Sequence, residues 1–141
     1  KNKIISRKYS HKWKTKKNTK TMSLVFEDKK ILSIEQFPIE KEKLKVDVFN
    51  FKEAKDPLSS FLQILMGGKK ALVVDGRRTY TMEVINTNNT ITINLTNYLN
   101  LWTDHKKNKF EKIKFIKKNK YLLPFEIHIY FDGRIFKLEK I

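Results

Sequence analysis

The strongest polar cluster in the sequence surrounds Asp75, which is followed by Gly76, Arg77 and Arg78. Two guanidinium groups beside a turn can hold a phosphate or a carboxylate, because each presents several donors in a fixed fork. In a competing structural interpretation, Asp75 forms the turn, one arginine pairs with it or with a carboxylate across the sheet, and Tyr80 fills the core. We favour the structural interpretation, because adjacent side chains of a strand point to opposite faces.

Histidine and acidic residues could provide acid–base chemistry or metal ligands. A hydrolase or transferase would use Asp104, His105 or Asp75, and the remaining histidines are His11 and His128. Metal sites need three or four ligands at recognisable spacings, and the sequence has neither such a spacing nor a cysteine. It also lacks a nucleophile elbow and a glycine-rich phosphate loop. We therefore predict a protein that is not an enzyme, with no catalytic residues, no metal and no cofactor.

Two runs of sequence interleave lysine with aromatic residues. The first contains Lys12, Trp13 and Lys14, and the second contains Lys112 and Lys114. Anionic lipids, glycans and single-stranded nucleic acids require this combination of charge and rings. The same pattern is typical of a strand whose lysines face solvent while its apolar residues face the core. Both interpretations stay open.

The formal net charge is +16, from 31 lysine and arginine residues against 15 acidic residues. Nearly all of the basic residues are lysine, a hydrated point charge, whereas the planar fork of arginine suits phosphates and base edges better. Nucleic acid is therefore not the expected partner. The apolar fraction of 40% is too high for a disordered chain and predicts a single folded domain over residues 1–141.

Apolar residues at alternate positions predict short β-strands along most of the chain. One segment differs: Asp56 suits an N-cap, Pro57 the first helical position and Gly67 the helix end, which predicts a short helix from about Asp56 to Met66. The helix carries an apolar stripe that should pack onto the sheet, made of Leu58, Phe61, Leu62 and Leu65.

The order of the elements predicts the fold class. Asp75-Gly76 and Asp132-Gly133 predict hairpins, and the absence of βαβ alternation favours antiparallel pairing. Between Leu44 and Phe51 the apolar phase slips after Val48, which predicts either a bulge or a strand buried on both faces. We expect a mainly β (α+β) fold, a curled antiparallel β-roll or partly open barrel of meandering strands around one short helix. No apolar run is long enough to span a bilayer.

Three short motifs recur in this order in a known family. They are the helix start Asp56-Pro57-Leu58-Ser59, the segment from Val74 to Tyr80, and Leu123-Pro124 followed by Asp132-Gly133. Over roughly residues 6–141 the chain resembles the proteobacterial envelope family called domain of unknown function 3108. The resemblance implies an exported periplasmic protein or lipoprotein of a Gram-negative bacterium, with an upstream leader and further strands. It implies a β-roll around a helix and no known reaction.

Two functions follow as hypotheses. The first is a non-catalytic envelope module that binds a lipid, another apolar ligand or a partner protein through its curved sheet. Its contacts would be Leu58, Phe61 and Leu65, which would line a pocket against the sheet, together with Arg77, Arg78 and Tyr80. The alternative is polyanion binding at the two lysine-aromatic runs, whose affinity would fall steeply with salt.

Overall fold

A computed structural model describes residues 4–39, 43–87, 89–103, 110–117 and 123–140. The described residues form nine strands, one α-helix and a short 3-10 helix. The strands are β1 (Lys8–Lys14), β2 (Thr19–Glu27), β3 (Lys30–Phe37), β4 (Lys70–Val74), β5 (Arg78–Thr87), β6 (Thr90–Asn100), β7 (Phe110–Ile116), β8 (Glu126–Phe131) and β9 (Arg134–Glu139). The α-helix, α1, spans Pro57–Leu65, and the 3-10 helix spans Val48–Asn50.

The strands form two antiparallel meanders. A three-stranded sheet has the order β1-β2-β3, and a six-stranded sheet has the order β4-β5-β6-β7-β8-β9. The six-stranded sheet does not close into a barrel, since β4 and β9 lie at its two ends. The prediction of a mainly β, antiparallel, open fold with one short helix is confirmed.

Two hydrophobic cores lie on opposite faces of β4. The first lies between α1 and one face of the six-stranded sheet, here called the helix-facing face. Its buried residues are Ile64, Leu65, Ala71, Val73, Tyr80, Met82, Ile91, Ile93, Leu95, Ile113 and Phe115. The second core lies between the three-stranded sheet and the opposite, outer face of β4. Its buried residues are Leu24, Phe26, Ile31, Val48, Ala54, Val74 and Leu101. The apolar run of β4 follows from this arrangement, because alternate side chains enter different cores.

The backbone of β4, at one end of the six-stranded sheet, is covered by the chain itself. The Lys55 N–H donates to the Leu72 carbonyl, and the Val74 N–H donates to the Lys55 carbonyl, each at 2.9 Å. These bonds form an isolated parallel bridge between Lys55 and Val73. A covered edge cannot serve as a template for another chain.

The N-terminus of α1 is fixed by a buried carboxylate. Asp56 caps the helix by accepting the Ser59 N–H at 3.0 Å, and it also accepts the hydroxyls of Ser6 and Ser59 at 2.6 Å. At the next turn, the Gln63 side chain accepts the Ile4 N–H at 2.9 Å. The predicted helix and its cap are confirmed, and these contacts hold one flank of α1 against residues 4–6.

The predicted apolar stripe of α1 is wrong at Leu58 and at Leu62, which are 64% and 38% exposed. The buried side of the helix instead contains Ser60, Ile64 and Leu65. Ser60 can be buried because its hydroxyl donates to the Asp56 carbonyl at 2.8 Å. The cap and its bonds to residues 4–6 therefore fix the rotation of the helix, and apolar spacing alone does not.

The segment around Val48 also differs from its prediction. Neither a bulge nor a doubly buried strand forms there; the chain makes the 3-10 helix Val48–Asn50. The Asp47 carboxylate accepts the Phe49 N–H at 3.2 Å and the Asn50 amide, and these local bonds compete with strand pairing. Val48 is still buried, in the second core.

Candidate functional site

The turn between β4 and β5 joins the two sheets. Asp75 Oδ1 accepts the backbone N–H groups of Arg77 and Arg78 at 2.8 and 2.7 Å. Gly76 has a φ of 92°, and a Cβ at this position would lie 2.5 Å from Met22 Cγ on β2. Asp75 therefore forms the turn, as the structural interpretation predicts, and only glycine allows the turn to approach β2 so closely.

Three successive carbonyl oxygens of this turn contact groups from outside β4 and β5. The contacts are Asp75 O with His11 Nε2 at 3.2 Å, Gly76 O with Trp102 Nε1–H at 2.7 Å, and Arg77 O with the Leu101 N–H at 2.8 Å. Backbone carbonyls removed from water need such donors. The turn is thus fixed from both β1 and the segment after β6.

The two arginines leave the turn in different directions. The Arg77 guanidinium lies 5.0 Å from the Trp13 ring centroid on β1, whereas that of Arg78 lies 6.0 Å from the Tyr98 centroid on β6. Within the described residues, Arg78 Nε is buried and has no hydrogen-bond acceptor. The two guanidinium groups do not converge on one ligand, as strand alternation predicts.

Three tyrosines lie close to this turn. Burial raises the pKa of Tyr80 well above its usual range, and the Asp75 carboxylate adds to this shift. Burial also raises the pKa values of Tyr9 and Tyr98, again with a contribution from Asp75. Tyr80 belongs to the first core, so its position matches the structural interpretation. All three side chains therefore stay neutral at physiological pH.

The first lysine-aromatic run is divided between the two faces of β1. Trp13 stacks on His11, with ring centroids 5.0 Å apart and an interplanar angle of 14°. Lys12 and Lys14 are exposed on the opposite face of the strand. The predicted trio therefore does not share a surface, and Arg77 is the cation that lies over Trp13.

The second run does converge. Lys112 Nζ and Lys114 Nζ lie 4.6 and 5.5 Å from the centroid of Tyr130 on the neighbouring strand β8. All three residues lie on the outer face of the six-stranded sheet, and we call them the outer lysine cluster. Beside it, His128 Nε2 lies 2.8 Å from Glu126 Oε2. The sequence could not reveal Tyr130 as the ring between the lysines, because that contact requires the β7–β8 register.

The predicted pocket residues of α1 are separated in the structure. The Phe61 ring packs edge-on against Phe115 at 5.8 Å, and Leu65 is buried in the first core. Leu58 points away from the sheet and is exposed. The side chains of α1 thus fill the contact between helix and sheet at β7, and these three residues do not line a common pocket.

The feature that the sequence analysis missed is the exposure of β9. Ile135, Phe136 and Leu138 are 52%, 50% and 57% exposed, and they lie on both faces of the strand. Among the described residues, β9 pairs with β8 alone. Alternating apolar residues predicted a strand here, but exposure depends on the strand's place in the sheet.

The outer backbone edge of β9 can be assigned from its pairing with β8. The Lys140 N–H donates to the Phe125 carbonyl at 2.9 Å, so this pair is a hydrogen-bonded one. Because hydrogen-bonded positions alternate along an antiparallel ladder, the backbone groups of Ile135, Lys137 and Glu139 point away from β8. We call these three residues the β9 edge.

The outer face of β9 contains an unfavourable cross-strand pair. Glu139 lies directly opposite Glu126 of β8, and Lys137 lies opposite His128. Like charges directly opposite each other destabilise a sheet. The His128 ring contacts Glu126, but no cation lies beside Glu139 among the cross-strand neighbours that the described β8 and β9 provide.

The residues that the sequence analysis considered for acid–base chemistry or metal binding do not form a common site in the described part of the chain. Asp104 and His105 lie outside the described residues. In the described ranges, no group of three His, Cys, Asp or Glu residues could hold a metal ion. The helix among these residues is too short to cross a membrane.

In the part of the chain that the structure describes, the fold and these surfaces define a mainly β module with an exposed apolar end strand, β9, and a lysine-rich outer face. Comparisons of the chain with protein-family models, with curated proteins and with solved structures find no match. The resemblance to the envelope family stays a prediction.

Proposed function

We propose that the protein is a non-catalytic binding module whose β9 edge takes up a strand from a partner protein. The observation that carries the proposal is the exposure of β9, which presents Ile135, Phe136 and Leu138 to solvent. Adding a strand to such an edge is a common mode of peptide recognition, in which backbone hydrogen bonds supply affinity and side chains supply specificity.

The contrast between the two ends of the six-stranded sheet supports this function. The backbone of β4 is covered by Lys55, whereas β9 has no such cover among the described residues. Soluble proteins usually shield an apolar edge strand or shorten it. An apolar ligand beneath α1 receives less support, because Ile64 and Leu65 already fill that contact.

An envelope location is part of the same proposal. Its support is the resemblance of the helix start and of Asp132-Gly133 to an exported family. Fractionation of cells that express the complete gene product tests it, and we expect the protein in the periplasmic or envelope fraction. Recovery from the cytosol alone would contradict the location without affecting the role of β9.

Site-specific photo-cross-linking in the native cells tests the proposed function. A benzophenone amino acid replaces Ile135, and the control probe replaces Ser10, an exposed residue of β1. We expect a polypeptide adduct from position 135 that the Lys137→Pro substitution abolishes. Proline removes an outward N–H and leaves the bonds to β8 in place. Lys137→Ala removes the charge but keeps the N–H, so most of the adduct should remain.

Two results would contradict the function. One is an adduct at position 135 no stronger than that at position 10. The other is an adduct that persists in full with Lys137→Pro, which would mean that backbone pairing is not involved. Circular dichroism of both Lys137 variants shows whether each is folded.

The second candidate function is polyanion binding. The observation that favours it is the outer lysine cluster, where two cations share one aromatic ring within a chain of net charge +16. A lysine near an anionic membrane surface contributes about 1 kcal/mol. Such a face could hold an envelope module close to anionic lipid.

Vesicles of phosphatidylglycerol and phosphatidylethanolamine provide the test. The double substitution of Lys112 and Lys114 by Gln is compared with that of Lys16 and Lys17, exposed lysines between β1 and β2. Both pairs remove the same charge. We expect the first pair to weaken binding roughly thirtyfold more than the second, because about 1 kcal/mol per lysine is lost at the cluster. Equal losses would show that only net charge matters.

A further inference from the structure

The chemistry of the β9 edge restricts the strand that can pair with it. In antiparallel pairing, the outward residues Ile135, Lys137 and Glu139 must face outward residues of the added strand. Directly opposed residues also share a face of the sheet. A suitable strand therefore presents an anion opposite Lys137 and a cation opposite Glu139 on the outer face, and apolar residues on the helix-facing face.

The β9 strand itself satisfies this requirement. When a second β9 runs antiparallel with its two-fold axis at Leu138, Lys137 faces Glu139 of the second copy, and Glu139 faces its Lys137. The two Leu138 side chains then meet on the helix-facing face, where each is 57% exposed in one copy. Such a pairing gives two opposite-charge pairs and one apolar pair by symmetry.

Neighbouring registers lack this complementarity. An axis at Lys137 places two lysines opposite each other, which is destabilising. An axis at Phe136 places Lys137 opposite Ile135. In that register neither Lys137 nor Glu139 faces a residue of opposite charge. Charge complementarity therefore selects the register centred on Leu138.

The existing sheet provides an independent reason for this register. Glu126 and Glu139 oppose each other across β8 and β9. In the Leu138-centred register, Lys137 of the second copy lies on the other side of Glu139. The row then runs Glu126, Glu139, Lys137, so the unfavourable pair gains a neighbouring cation.

From these observations we infer that the partner strand is β9 of a second copy of this chain, paired antiparallel about Leu138. The two six-stranded sheets become one continuous sheet, with both α1 helices on the same side. This inference rests on the proposed function of the β9 edge and names its partner.

Charge reversal tests the register. Lys137→Glu places Glu opposite Glu139, and Glu139→Lys places Lys opposite Lys137, so each single variant should dimerise roughly tenfold more weakly, as two repulsive cross-strand pairs replace two attractive ones. The double variant restores both pairs with reversed polarity. An equimolar mixture of the two single variants also restores them, because every cross-strand pair then joins Glu to Lys.

Sedimentation velocity over a concentration series measures the dimer. Each copy carries +16, so the runs use physiological salt, where the screening length is about 8 Å. We expect the wild type, the double variant and the mixture to dimerise with similar affinity and each single variant roughly tenfold more weakly, whereas Lys137→Pro should stay monomeric. A wild-type dimer insensitive to the charge reversals would overturn the register, and one that survives Lys137→Pro would overturn the interface.

Different experimental results would contradict the inference and the proposed function. A wild-type protein that stays monomeric at every concentration overturns the inference. If position 135 then cross-links to a different polypeptide, the β9 edge keeps its function with another partner. If it cross-links to nothing, both are overturned.

Discussion

Gly76 lies where the turn between β4 and β5 touches β2. It has a φ of 92°, and an added Cβ would lie 2.5 Å from Met22 Cγ. Gly133, in the turn between β8 and β9, has a φ of 72° but nothing within 4 Å of an added Cβ. An alanine at position 133 therefore tests backbone strain alone, whereas an alanine at position 76 tests backbone strain together with a steric clash.

We expect Gly133→Ala to lower the free energy of unfolding by about 1 kcal/mol, the strain of a positive φ alone. Gly76→Ala should lower it by about 2–4 kcal/mol, because overpacking against Met22 adds to the strain. Urea denaturation monitored by circular dichroism measures both values. Equal losses would mean that the turn does not pack on β2.

The candidate site shows which residue contacts a sequence can predict. The divergence of Arg77 and Arg78 follows from strand alternation, and it is observed. The contact of Arg77 with Trp13 could not be predicted, because it joins residues from different sheets. Likewise, Lys112 and Lys114 lie near a ring because the neighbouring strand provides Tyr130, whereas β2 places Thr21 and Thr19 opposite Lys12 and Lys14.

At the scale of the elements, the rotation of α1 decides which of its residues stabilise the protein. Ile64 is 2% exposed and belongs to the first core, whereas Leu58 is 64% exposed. Ile64→Ala should lower the free energy of unfolding by about 3 kcal/mol through the lost burial and the cavity. Leu58→Ala should change it by less than about 0.5 kcal/mol.

Urea denaturation of the two alanine variants checks this difference. The alternative is the stripe that the sequence indicates, in which Leu58 is a core residue and would cost at least as much as Ile64. A large loss for Leu58→Ala would therefore contradict the observed rotation. Leu65→Ala serves as a positive control, because Leu65 is buried in both arrangements.

The elements themselves were predictable to different degrees. The limits of α1 follow from Asp56, Pro57 and Gly67, because caps are local signals. The hairpin at Asp132-Gly133 is also local, and both residues have positive φ as such turns require. The 3-10 helix after Asp47 was missed, because a short polar side chain overrode the apolar alternation there. The open edge at β9 was missed because strand order is a property of the whole sheet.

At the scale of the whole molecule, burial of Tyr80 near the turn at Asp75 makes the free energy of unfolding depend on pH in the alkaline range. The pKa of Tyr80 is raised because the side chain is buried and lies near Asp75. An unfolded tyrosine has a pKa of about 10. Between that pH and the raised folded value, the unfolded state binds fewer protons, so stability falls as pH rises. Below about pH 10 this contribution is fully present.

Tyr80→Phe should make the protein less sensitive to alkali. The wild type should lose up to about 1.4 kcal/mol of unfolding free energy per pH unit above pH 10 from this one group, and the variant should lack that part of the slope. Urea denaturation of both proteins from pH 8 to pH 11.5 measures how the free energy of unfolding changes with pH. The difference in unfolding free energy between the two proteins below pH 10 serves as the internal control. All other ionisable groups are the same in both proteins, so their contributions cancel in the comparison. If the two curves stay parallel above pH 10, the Tyr80 hydroxyl keeps its ordinary pKa, and the turn does not bury it.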